Sequence, residues 1–208
     1  MEPFRSVTGA AAPLPLDDVN TDQIIPSAWL KDLNADMAEG FLAYMRRTPE
    51  GASRSDFVLE RPQYAGAPIL VTGRNFGCGS SREHAVWSMR AFGVRCVIGE
   101  SPAEFFRENC LKNGVLPLTL DASRMQQLWQ AVQRVDGSEP FTVDLEACAI
   151  RGPGGFLLPF EIGAGEREAL LEGLDDIGLT LKSLPAIEAW EERAAKLRPF
   201  LQAGIRRA

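Results

Sequence analysis

The sequence predicts an α/β fold that carries an additional layer of β structure. Between residues 69 and 120, short apolar strands alternate with amphipathic helices, and this alternation requires parallel strands joined by crossover connections. Two further apolar segments, at 141–150 and 155–162, flank a turn of glycine and proline and are typical of a β pair. The last forty residues are mainly helical in character.

The N-terminal third has a mixed pattern. Residues 1–16 are predicted to form short strand segments, and 17–26 to form a polar turn that runs into an apolar pair and a proline. Apolar residues in 35–47 recur at helical spacing, whereas 48–66 has the composition of a loop. The expected interruptions of the first strand segments are Gly9, Pro13 and Pro15.

The central region has the clearest rhythm. A serine followed by proline, alanine and glutamate has the spacing of a capping box, with the proline at the first helical position. We therefore expect a helix to begin there. In order, the predicted elements are a strand over Ile69–Thr72, a helix over Ser81–Phe92 ended by Gly93, a strand over Val94–Ile98, a helix from Ser101 to Lys112, a strand over Val115–Leu120 and a helix near 123–135.

Length and composition favour one ordinary globular domain. The chain has 208 residues, of which 45% are hydrophobic and 24% are charged, so it can bury a core without covalent crosslinks. A net charge of −6 argues against a nucleic-acid surface. No segment is typical of a signal peptide or a membrane span, which predicts a cytoplasmic protein with no membrane partner.

The cysteines and the histidine bear on metal binding. Four cysteines are scattered without a CxxC pair, which favours a reducing compartment and argues against disulfides. Iron–sulfur ligands usually form a closely spaced cysteine group, so we expect no cluster in this chain. One histidine excludes a multi-histidine site, and no metal ligand is predicted. These residues are Cys78, Cys96, Cys110, Cys148 and His84.

A glycine-rich turn, ILVTGRNFGCGSSREH over 69–84, is the candidate functional element. It joins a buried strand to a predicted helix, and free N–H groups at a helix start can bind an anion. Arg82 is expected in the first helical turn, where the helix dipole disfavours a cation, so an anionic ligand is expected there. The alternative is a turn that serves only the fold, with a serine as a simple cap. The glycine spacing fits neither a Walker A loop nor a dinucleotide fingerprint.

Five motifs carry a resemblance to a known family. GRNFGCGSSREHA over 73–85 is similar to the signature of 3-isopropylmalate dehydratase small subunits, and its GSSRE core resembles aconitase. NTDQIIP, DFVLERPQYAG, FFRENCLKNGVLPL and GLDDIGLTL follow the family's order along nearly the whole chain. The resemblance implies a single swivelling β/β/α domain over 1–208, like the C-terminal domain of aconitase, with a helical segment over about 165–208.

The resemblance also implies an activity. Such a chain would be the small subunit of a hydro-lyase of leucine biosynthesis, active only as a heterodimer with a large subunit that carries a [4Fe–4S] cluster. The reaction would interconvert 2-isopropylmalate and 3-isopropylmalate by removal and readdition of water. The small subunit would bind no cofactor itself and would contribute the base and part of the pocket for a small dicarboxylate.

The family roles fall on particular residues of this sequence. Ser80 matches the serine base, Ser81 a serine that hydrogen-bonds the substrate, and Arg82 the arginine that binds a substrate carboxylate. Asp22 matches an active-site aspartate, to which we assign a supporting role; the alternative is a turn-forming aspartate. Lys31 is a further candidate contact for a carboxylate, although it could equally face solvent.

The segment after NTDQIIP departs from the usual bacterial enzyme. In relatives this loop helps to choose the substrate side chain, so Trp29 and Leu30 could line an apolar pocket or belong to the core. The departure leaves open a paralogue acting on citraconate, a dimethylmaleate-type diacid or homoaconitate, and also a non-enzymatic anion-binding scaffold. Beside the turn, we interpret His84 as a structural histidine and Cys78 as a small loop residue.

Overall fold

The computed structural model of the protein describes residues 1–31 and 34–201. Contacts between residues divide the chain into two compact units, Met1–Gly173 and Leu174–Ala208. Within the described part of the first unit, the strands form a parallel sheet and an antiparallel sheet, and helices accompany them. The expected α/β fold with an additional β layer is therefore confirmed. The single domain expected over 1–208 stays a prediction.

The strands are short and each has four residues. They are β1 (Ser6–Gly9), β2 (Ala11–Leu14), β3 (Ile69–Thr72), β4 (Cys96–Gly99), β5 (Leu116–Thr119), β6 (Phe141–Asp144), β7 (Ala149–Gly152) and β8 (Phe156–Pro159).

The parallel sheet has the order β2-β3-β4-β5. Its two central strands are buried at every position, as expected where both faces of a sheet are covered. Each of the two edge strands contains a proline, Pro13 in β2 and Pro117 in β5. Proline is tolerated at a sheet edge because its missing N–H need not serve the ladder. Pro13 therefore lies within β2 and does not interrupt it, contrary to the sequence prediction.

The antiparallel sheet has the order β1-β6-β7-β8. The segment expected to form one partner of a β pair, 141–150, itself folds into the β6–β7 hairpin. Cys148 adopts a φ of 49° in the turn of that hairpin, a conformation uncommon for a residue with a side chain. The predicted pair is thus a three-strand meander, and β1 extends it at one edge.

Helices connect and flank these strands. They are α1 (Thr21–Ile24), α2 (Met37–Gly40), α3 (Ala43–Arg46), α4 (Glu83–Phe92), α5 (Glu104–Lys112), α6 (Ala122–Val135), α7 (Ala164–Glu172), α8 (Asp176–Leu181) and α9 (Leu184–Leu197). Short 3₁₀ turns lie at Ser27–Leu30, Val58–Glu60, Pro62–Tyr64, Pro153–Gly155 and Pro199–Leu201. No helix within the described ranges combines the length and apolar character needed to cross a bilayer.

Two apolar clusters lie on opposite faces of the parallel sheet, and β3 shows the alternation. Ile69 and Val71 enter the cluster shared with the antiparallel sheet, whereas Leu70 enters the other cluster with α4 and α5. The first cluster includes Phe141, Ile150 and Leu158 of the second sheet. The layers are therefore antiparallel sheet, parallel sheet and helices, the β/β/α order that the resemblance implied.

Two helix starts differ from the sequence prediction. Helix α4 begins at Glu83 with Arg82 as its N-cap, two residues later than expected. Helix α5 begins at Glu104, and Ser101 does not cap it. The main-chain oxygen of Ser101 instead accepts a 2.9 Å hydrogen bond from the N–H of Asn75, in the glycine-rich turn. A tertiary contact thus overrides the local capping pattern.

The expected helix over 35–47 is broken in its middle. Helices α2 and α3 are separated at Leu42, which has a φ of 50°, and the N–H of Leu42 donates 2.8 Å to the carbonyl of Ile24. The break buries Leu42 in the core instead of continuing one helical stripe.

Residues 48–66 are held more firmly than their loop-like composition suggests. The buried Arg46 donates from Nε to Glu60 at 2.6 Å and from Nη1 to the carbonyls of Ala38 and Phe41. Its guanidinium also lies 4.5 Å from the centre of the Phe92 ring. This buried arginine ties the segment to the helices around it.

The second unit is helical. Asp175 caps α8 by accepting a 2.7 Å hydrogen bond from the N–H of Gly178. In the first unit, α7 begins at Ala164, close to the start of the helical segment expected over about 165–208. Residues 202–208 of that expectation lie outside the described residues.

Candidate active site

A turn over residues 73–82 connects the buried end of β3 to the start of α4. Gly77 and Gly79 in this turn have φ values of 81° and 89°, a conformation that favours glycine. A side chain at Gly77 would also collide with the ring of Phe106, on α5. The glycines therefore allow the chain to turn tightly against a neighbouring helix.

The polar segment near the N-terminus fastens the first half of this turn. Asp17 accepts hydrogen bonds from the main-chain N–H of Arg74 at 2.7 Å and from its guanidinium at 2.9 and 3.1 Å. That N–H, followed by the guanidinium, lowers the pKa of Asp17. Asn75, with a φ of 55°, donates 2.8 Å to Asp18. The residues just before the NTDQIIP motif are thus in direct contact with the glycine-rich turn.

A capping box orders the next residues of the same polar segment. The side chain of Asn20 accepts from the N–H of Gln23 at 3.0 Å, and the Gln23 side chain accepts from the N–H of Asn20 at 2.8 Å. The sequence prediction missed this one-turn helix, although the spacing of Asn20 and Gln23 was a readable signal. The capping box sets the direction of Asp22 within α1.

Thr21 contacts the second half of the turn. Its N–H donates 2.9 Å to the carbonyl of Cys78, and its buried hydroxyl donates 3.1 Å to the carbonyl of Ser80. Asn20 and Cys78 also form an isolated parallel β-bridge. The backbone on both sides of Gly79 is therefore attached to the Asn20–Thr21 segment.

Ser80 and Ser81 are exposed, and neither hydroxyl has a hydrogen-bond partner among the described residues. The main-chain N–H groups of Ser81, Glu83 and His84 also have no hydrogen-bond partner among the described residues. Glu83 and His84 are the first two residues of α4, and the first N–H groups of a helix have no carbonyl one turn earlier to bind. Hydroxyl and amide donors that face solvent at a helix start can bind an anion. Both serines precede the helix instead of beginning it.

Arg82 turns toward α1. Its Nη1 donates 2.6 Å to Oδ1 of Asp22 and 3.3 Å to the carbonyl of Ile25. As an N-cap residue with this partner, Arg82 does not face the dipole penalty that the sequence predicted; Glu83 occupies the first helical turn. Its Nε and Nη2 make no hydrogen bond to any described residue. That edge of the guanidinium can grip a carboxylate with two parallel hydrogen bonds.

The structure thus brings four of the five predicted site residues together. Asp22 meets Arg82 directly, and Arg82 is two residues from Ser80, whose carbonyl accepts 2.7 Å from the N–H of Arg82. Asp22 makes no turn-forming hydrogen bond of its own, because Asn20 performs that function. Lys31 is exposed directly after the 3₁₀ turn at Ser27–Leu30, and no described contact joins it to the other four.

Trp29 and Leu30 are half-buried against the apolar cluster on the helical face. Trp29 also packs edge-to-face on Tyr44, with ring centroids 6.2 Å apart. The same two rings contribute to the wall of a cavity of about 860 Å³ that Arg47 and Arg54 also line. Trp29 therefore belongs to the core and to a cavity at once, and both interpretations of the sequence describe part of its surroundings.

His84 and Cys78 have structural surroundings. The His84 ring packs on Trp87 at 4.5 Å, and the Trp87 indole donates 3.1 Å to Asn113. Cys78 is half-buried, with its backbone engaged by Thr21. Neither side chain hydrogen-bonds Ser80.

The cysteines of the chain do not fit an iron–sulfur cluster. Cys96 and Cys110 are buried in different core clusters, and burial raises the pKa of each thiol, which disfavours the thiolate that a cluster requires. All four thiols are free of disulfides. Within the described part of the chain, no group of three His, Cys, Asp or Glu side chains could hold a metal ion.

Comparison with known proteins connects this site to a family. The Aconitase C-terminal domain family matches residues 1–123, which include every residue of the candidate site. The chain is 46% identical over 201 residues to the "3-isopropylmalate dehydratase small subunit" of Mesorhizobium japonicum, covering 96% of this chain and 100% of that one. The protein of the same name from Dinoroseobacter shibae is 46% identical over 202 residues, covering 97% and 100%.

A solved structure agrees with these matches. The crystal structure of 3-isopropylmalate dehydratase from Methanocaldococcus jannaschii superposes with a TM-score of 0.62 and 25% sequence identity. The superposition covers 88% of this chain and 99% of that one.

Proposed function

This chain belongs to the family of 3-isopropylmalate dehydratase small subunits, and we propose that Ser80, Ser81 and Arg82 form its half of a dicarboxylate pocket. In this proposal the chain and a large subunit together interconvert 2-isopropylmalate and 3-isopropylmalate, a hydro-lyase reaction of leucine biosynthesis. The large subunit is the partner that the relatives' name implies. Neither a nucleic acid nor a membrane has a part in the proposal.

The unpaired edge of Arg82 is the observation that carries the proposal. Asp22 and the Ile25 carbonyl hold one nitrogen of the guanidinium, so its direction is set before any ligand binds. The remaining Nε and Nη2 donors match the spacing of a carboxylate. The exposed residues Ser80 and Ser81 directly precede Arg82 in sequence. A carboxylate on Arg82 would therefore bring its neighbouring carbon near a serine.

Ser80 is proposed as the base. Its oxygen, as the anion, takes the proton from the carbon next to a carboxylate, while the hydroxyl on the adjacent carbon receives a second proton, from an acid that we assign to the large subunit, and leaves as water, which yields an enoic diacid. Readdition of water with hydrogen and hydroxyl exchanged gives the isomer, and Ser80 returns the proton. A serine oxygen can act in this way only if its anion is stabilised, and the unpaired N–H groups at the start of α4 support that role.

The remaining chemistry is proposed for the partner. The described residues of this chain cannot hold a cluster, so we place the [4Fe–4S] group on the large subunit, where it would act as a Lewis acid toward the substrate hydroxyl. We derive no further step from it. Docking of the two subunits would cover Ser80 and Ser81 and exclude water from the pocket.

Residues 29–31 are proposed to affect the choice of substrate. Trp29 and Tyr44 give the cavity beside this segment an aromatic wall that an alkyl group could contact. Lys31, exposed at the end of the same turn, is a second candidate for contact with a carboxylate. A Lys31→Met variant should raise KM without changing kcat if this contact exists, and an unchanged KM would remove Lys31 from the site.

Anaerobic reconstitution with the large subunit tests the function. We expect 2-isopropylmalate and 3-isopropylmalate to be interconverted by the complex, with citraconate, dimethylmaleate and homoaconitate turned over more slowly. Faster turnover of one of those three substrates would show that the chain is the small subunit of a paralogous hydro-lyase. An assembled complex that turns over none of them, with its cluster intact, would favour the scaffold alternative.

A further inference from the structure

Thr21 is a buried threonine whose hydroxyl reaches the main chain of the proposed base. The residue is 2% exposed, and Oγ1 donates 3.1 Å to the carbonyl of Ser80. The adjacent N–H of Thr21 donates 2.9 Å to the carbonyl of Cys78. One residue therefore holds the backbone on both sides of Gly79, where φ is 89°.

The carbonyl of Ser80 has one other described partner. The N–H of Arg82 donates to it at 2.7 Å and closes a three-residue γ-turn around Ser81. Ser81 does not adopt a positive φ, so this is the inverse form of the turn. A γ-turn is a local restraint that moves with the loop. The Thr21 hydroxyl, by contrast, attaches the turn to a helix that belongs to a different part of the chain.

We propose that Thr21 is a positioning residue for proton transfer, because its hydroxyl fixes the peptide plane between Ser80 and Ser81. The inference rests on the proposed function, in which Ser80 is the base. In a trans peptide the Ser80 carbonyl and the Ser81 N–H point in opposite directions. Holding the carbonyl on Thr21 therefore aims the unpaired Ser81 N–H away from Thr21 and limits rotation of the peptide plane that joins the two serines.

The same segment orients both halves of the pocket. Thr21 holds the peptide of Ser80, and its neighbour Asp22 holds the guanidinium of Arg82 at 2.6 Å. The capping box of Asn20 and Gln23 fixes α1 from which both side chains project. The proposed base and the arginine that binds the carboxylate are thus both positioned by one short helix. Proton transfer needs an alignment of a few tenths of an ångström, and a misplacement near 1 Å costs about 100-fold in rate.

Removal of the Thr21 hydroxyl in the assembled two-subunit enzyme tests the inference. Thr21→Val preserves the shape of the side chain and removes the donor. We expect kcat for 2-isopropylmalate to fall by about 30- to 100-fold with KM changed less than about threefold, because substrate is still gripped by Arg82. Thr21→Ser, which restores the hydroxyl, should return kcat to within about threefold of the parent.

A matched control separates positioning from stability. Thr72 is also a fully buried threonine whose hydroxyl donates to a main-chain carbonyl, that of Ile98 at 3.3 Å. Thr72→Val should lower the melting temperature about as much as Thr21→Val while leaving kcat within about threefold of the parent. Equal losses of kcat in the two variants would overturn the inference, since a general loss of stability would then explain both.

Ser80→Ala, measured in parallel, distinguishes the two levels of the proposal. An inactive Ser80→Ala enzyme together with a fully active Thr21→Val enzyme would overturn the role of Thr21 alone. Full turnover by Ser80→Ala would overturn the base assignment and the role of Thr21 with it. If Thr21→Val does not assemble, Thr21→Ala, which removes the donor together with the γ-methyl group, takes its place with the same expected loss.

Discussion

Asp22 and Arg82 are sixty residues apart in sequence and are joined by a 2.6 Å hydrogen bond between Oδ1 and Nη1. The Asp22 side chain is 62% exposed, whereas that of Arg82 is 20% exposed. An ion pair as open as this contributes about 1 kcal/mol or less to folding. Its main effect is to set the direction of the Arg82 guanidinium, which leaves the Nε and Nη2 edge toward solvent.

Substitution of the aspartate tests that effect. Asp22→Asn keeps the shape of the side chain and weakens the hydrogen bond by removal of the charge, so we expect KM for 2-isopropylmalate to rise by about 5-fold. In an Arg82→Lys background the same change should have a smaller effect, because the two residues act through one contact. Steady-state kinetics of the four enzymes in this cycle measure the coupling. Fully independent effects would show that Asp22 does not orient Arg82.

The carboxylate fork at Arg82 predicts a specific sensitivity to lysine. Arg82→Lys keeps the charge but loses the planar pair of donors, so we expect KM to rise by about 10- to 100-fold. Arg5→Lys is the matched control, because Arg5 pairs with Glu146 on an exposed surface. That variant should behave as the parent. A fully functional Arg82→Lys enzyme would exclude bidentate recognition at this residue.

The base assignment predicts that Ser80→Ala abolishes turnover, with a loss of at least about 1000-fold in kcat. The hydroxyl of Ser80 has no partner among the described residues, so assembly with the large subunit should be unchanged. Ser6→Ala, at an exposed serine of β1, serves as the control for removal of a hydroxyl. Analytical gel filtration checks that the two subunits still assemble, and initial rates measure the loss of turnover. Activity near that of the parent would remove Ser80 as the base.

The buried ion pair of Arg46 and Glu60 predicts a pH-dependent stability. Burial by itself raises the pKa of Glu60, but hydrogen bonds from Ser53 and Arg46 lower it by more than burial raises it, so its net pKa lies below the ordinary value. A carboxyl with a depressed pKa stabilises the fold above its unfolded-state pKa of about 4.3 and loses that contribution as pH falls through the folded-state value.

Glu60→Gln should therefore reduce the free energy of unfolding by about 3 kcal/mol at pH 7, because Arg46 is left buried without its counter-charge. The difference from the parent should narrow as pH falls below about 4.3, where the unfolded chain takes up the proton, and should vanish below the lower folded-state pKa of Glu60. Urea unfolding at several pH values measures this. Glu146→Gln, at an exposed pair, should change the same quantity by less than about 1 kcal/mol. A gap that stays constant down to pH 3 would contradict the assignment.

The chain without its partner is expected to show negligible dehydratase activity. The described residues contain no set of ligands for a metal ion, and the proposed reaction needs one beside the substrate hydroxyl. Assay of the purified chain with and without the large subunit, after treatment with a chelator, checks this. Robust turnover by the metal-free chain alone would contradict both the division of labour and the proposed mechanism.

The sequence predicted the layers of the fold because apolar periodicity reports burial, and β3, β4 and β5 are buried in the way their sequences indicate. It failed where a tertiary contact competes with a local pattern. Ser101 has the spacing of a cap but its main chain binds Asn75, and Leu42 breaks a helical stripe by donating to Ile24. Such partners are distant in sequence and leave no local signature.

The sequence likewise indicated some residues of the candidate site and missed others. The motif over 73–85 indicated Ser80, Ser81 and Arg82, because strand end, glycines and helix start follow one another along the chain. The resemblance implied a supporting role for Asp22, but its contact with Arg82 could not follow from spacing. Thr21 was missed altogether, since a threonine that binds a main-chain carbonyl looks like any other buried threonine.

The prolines at both borders of the parallel sheet affect how this protein can associate. Strands β2 and β5 each lack one N–H, and the turn at Val58–Glu60 packs against β2. A further strand added at either border would find an interrupted ladder, which discourages growth of the sheet into aggregates. We therefore expect a second polypeptide to attach elsewhere than at these two borders. The parallel sheet therefore stays four strands wide, and it can support the glycine-rich turn at the end of β3 without offering a border for further strand pairing.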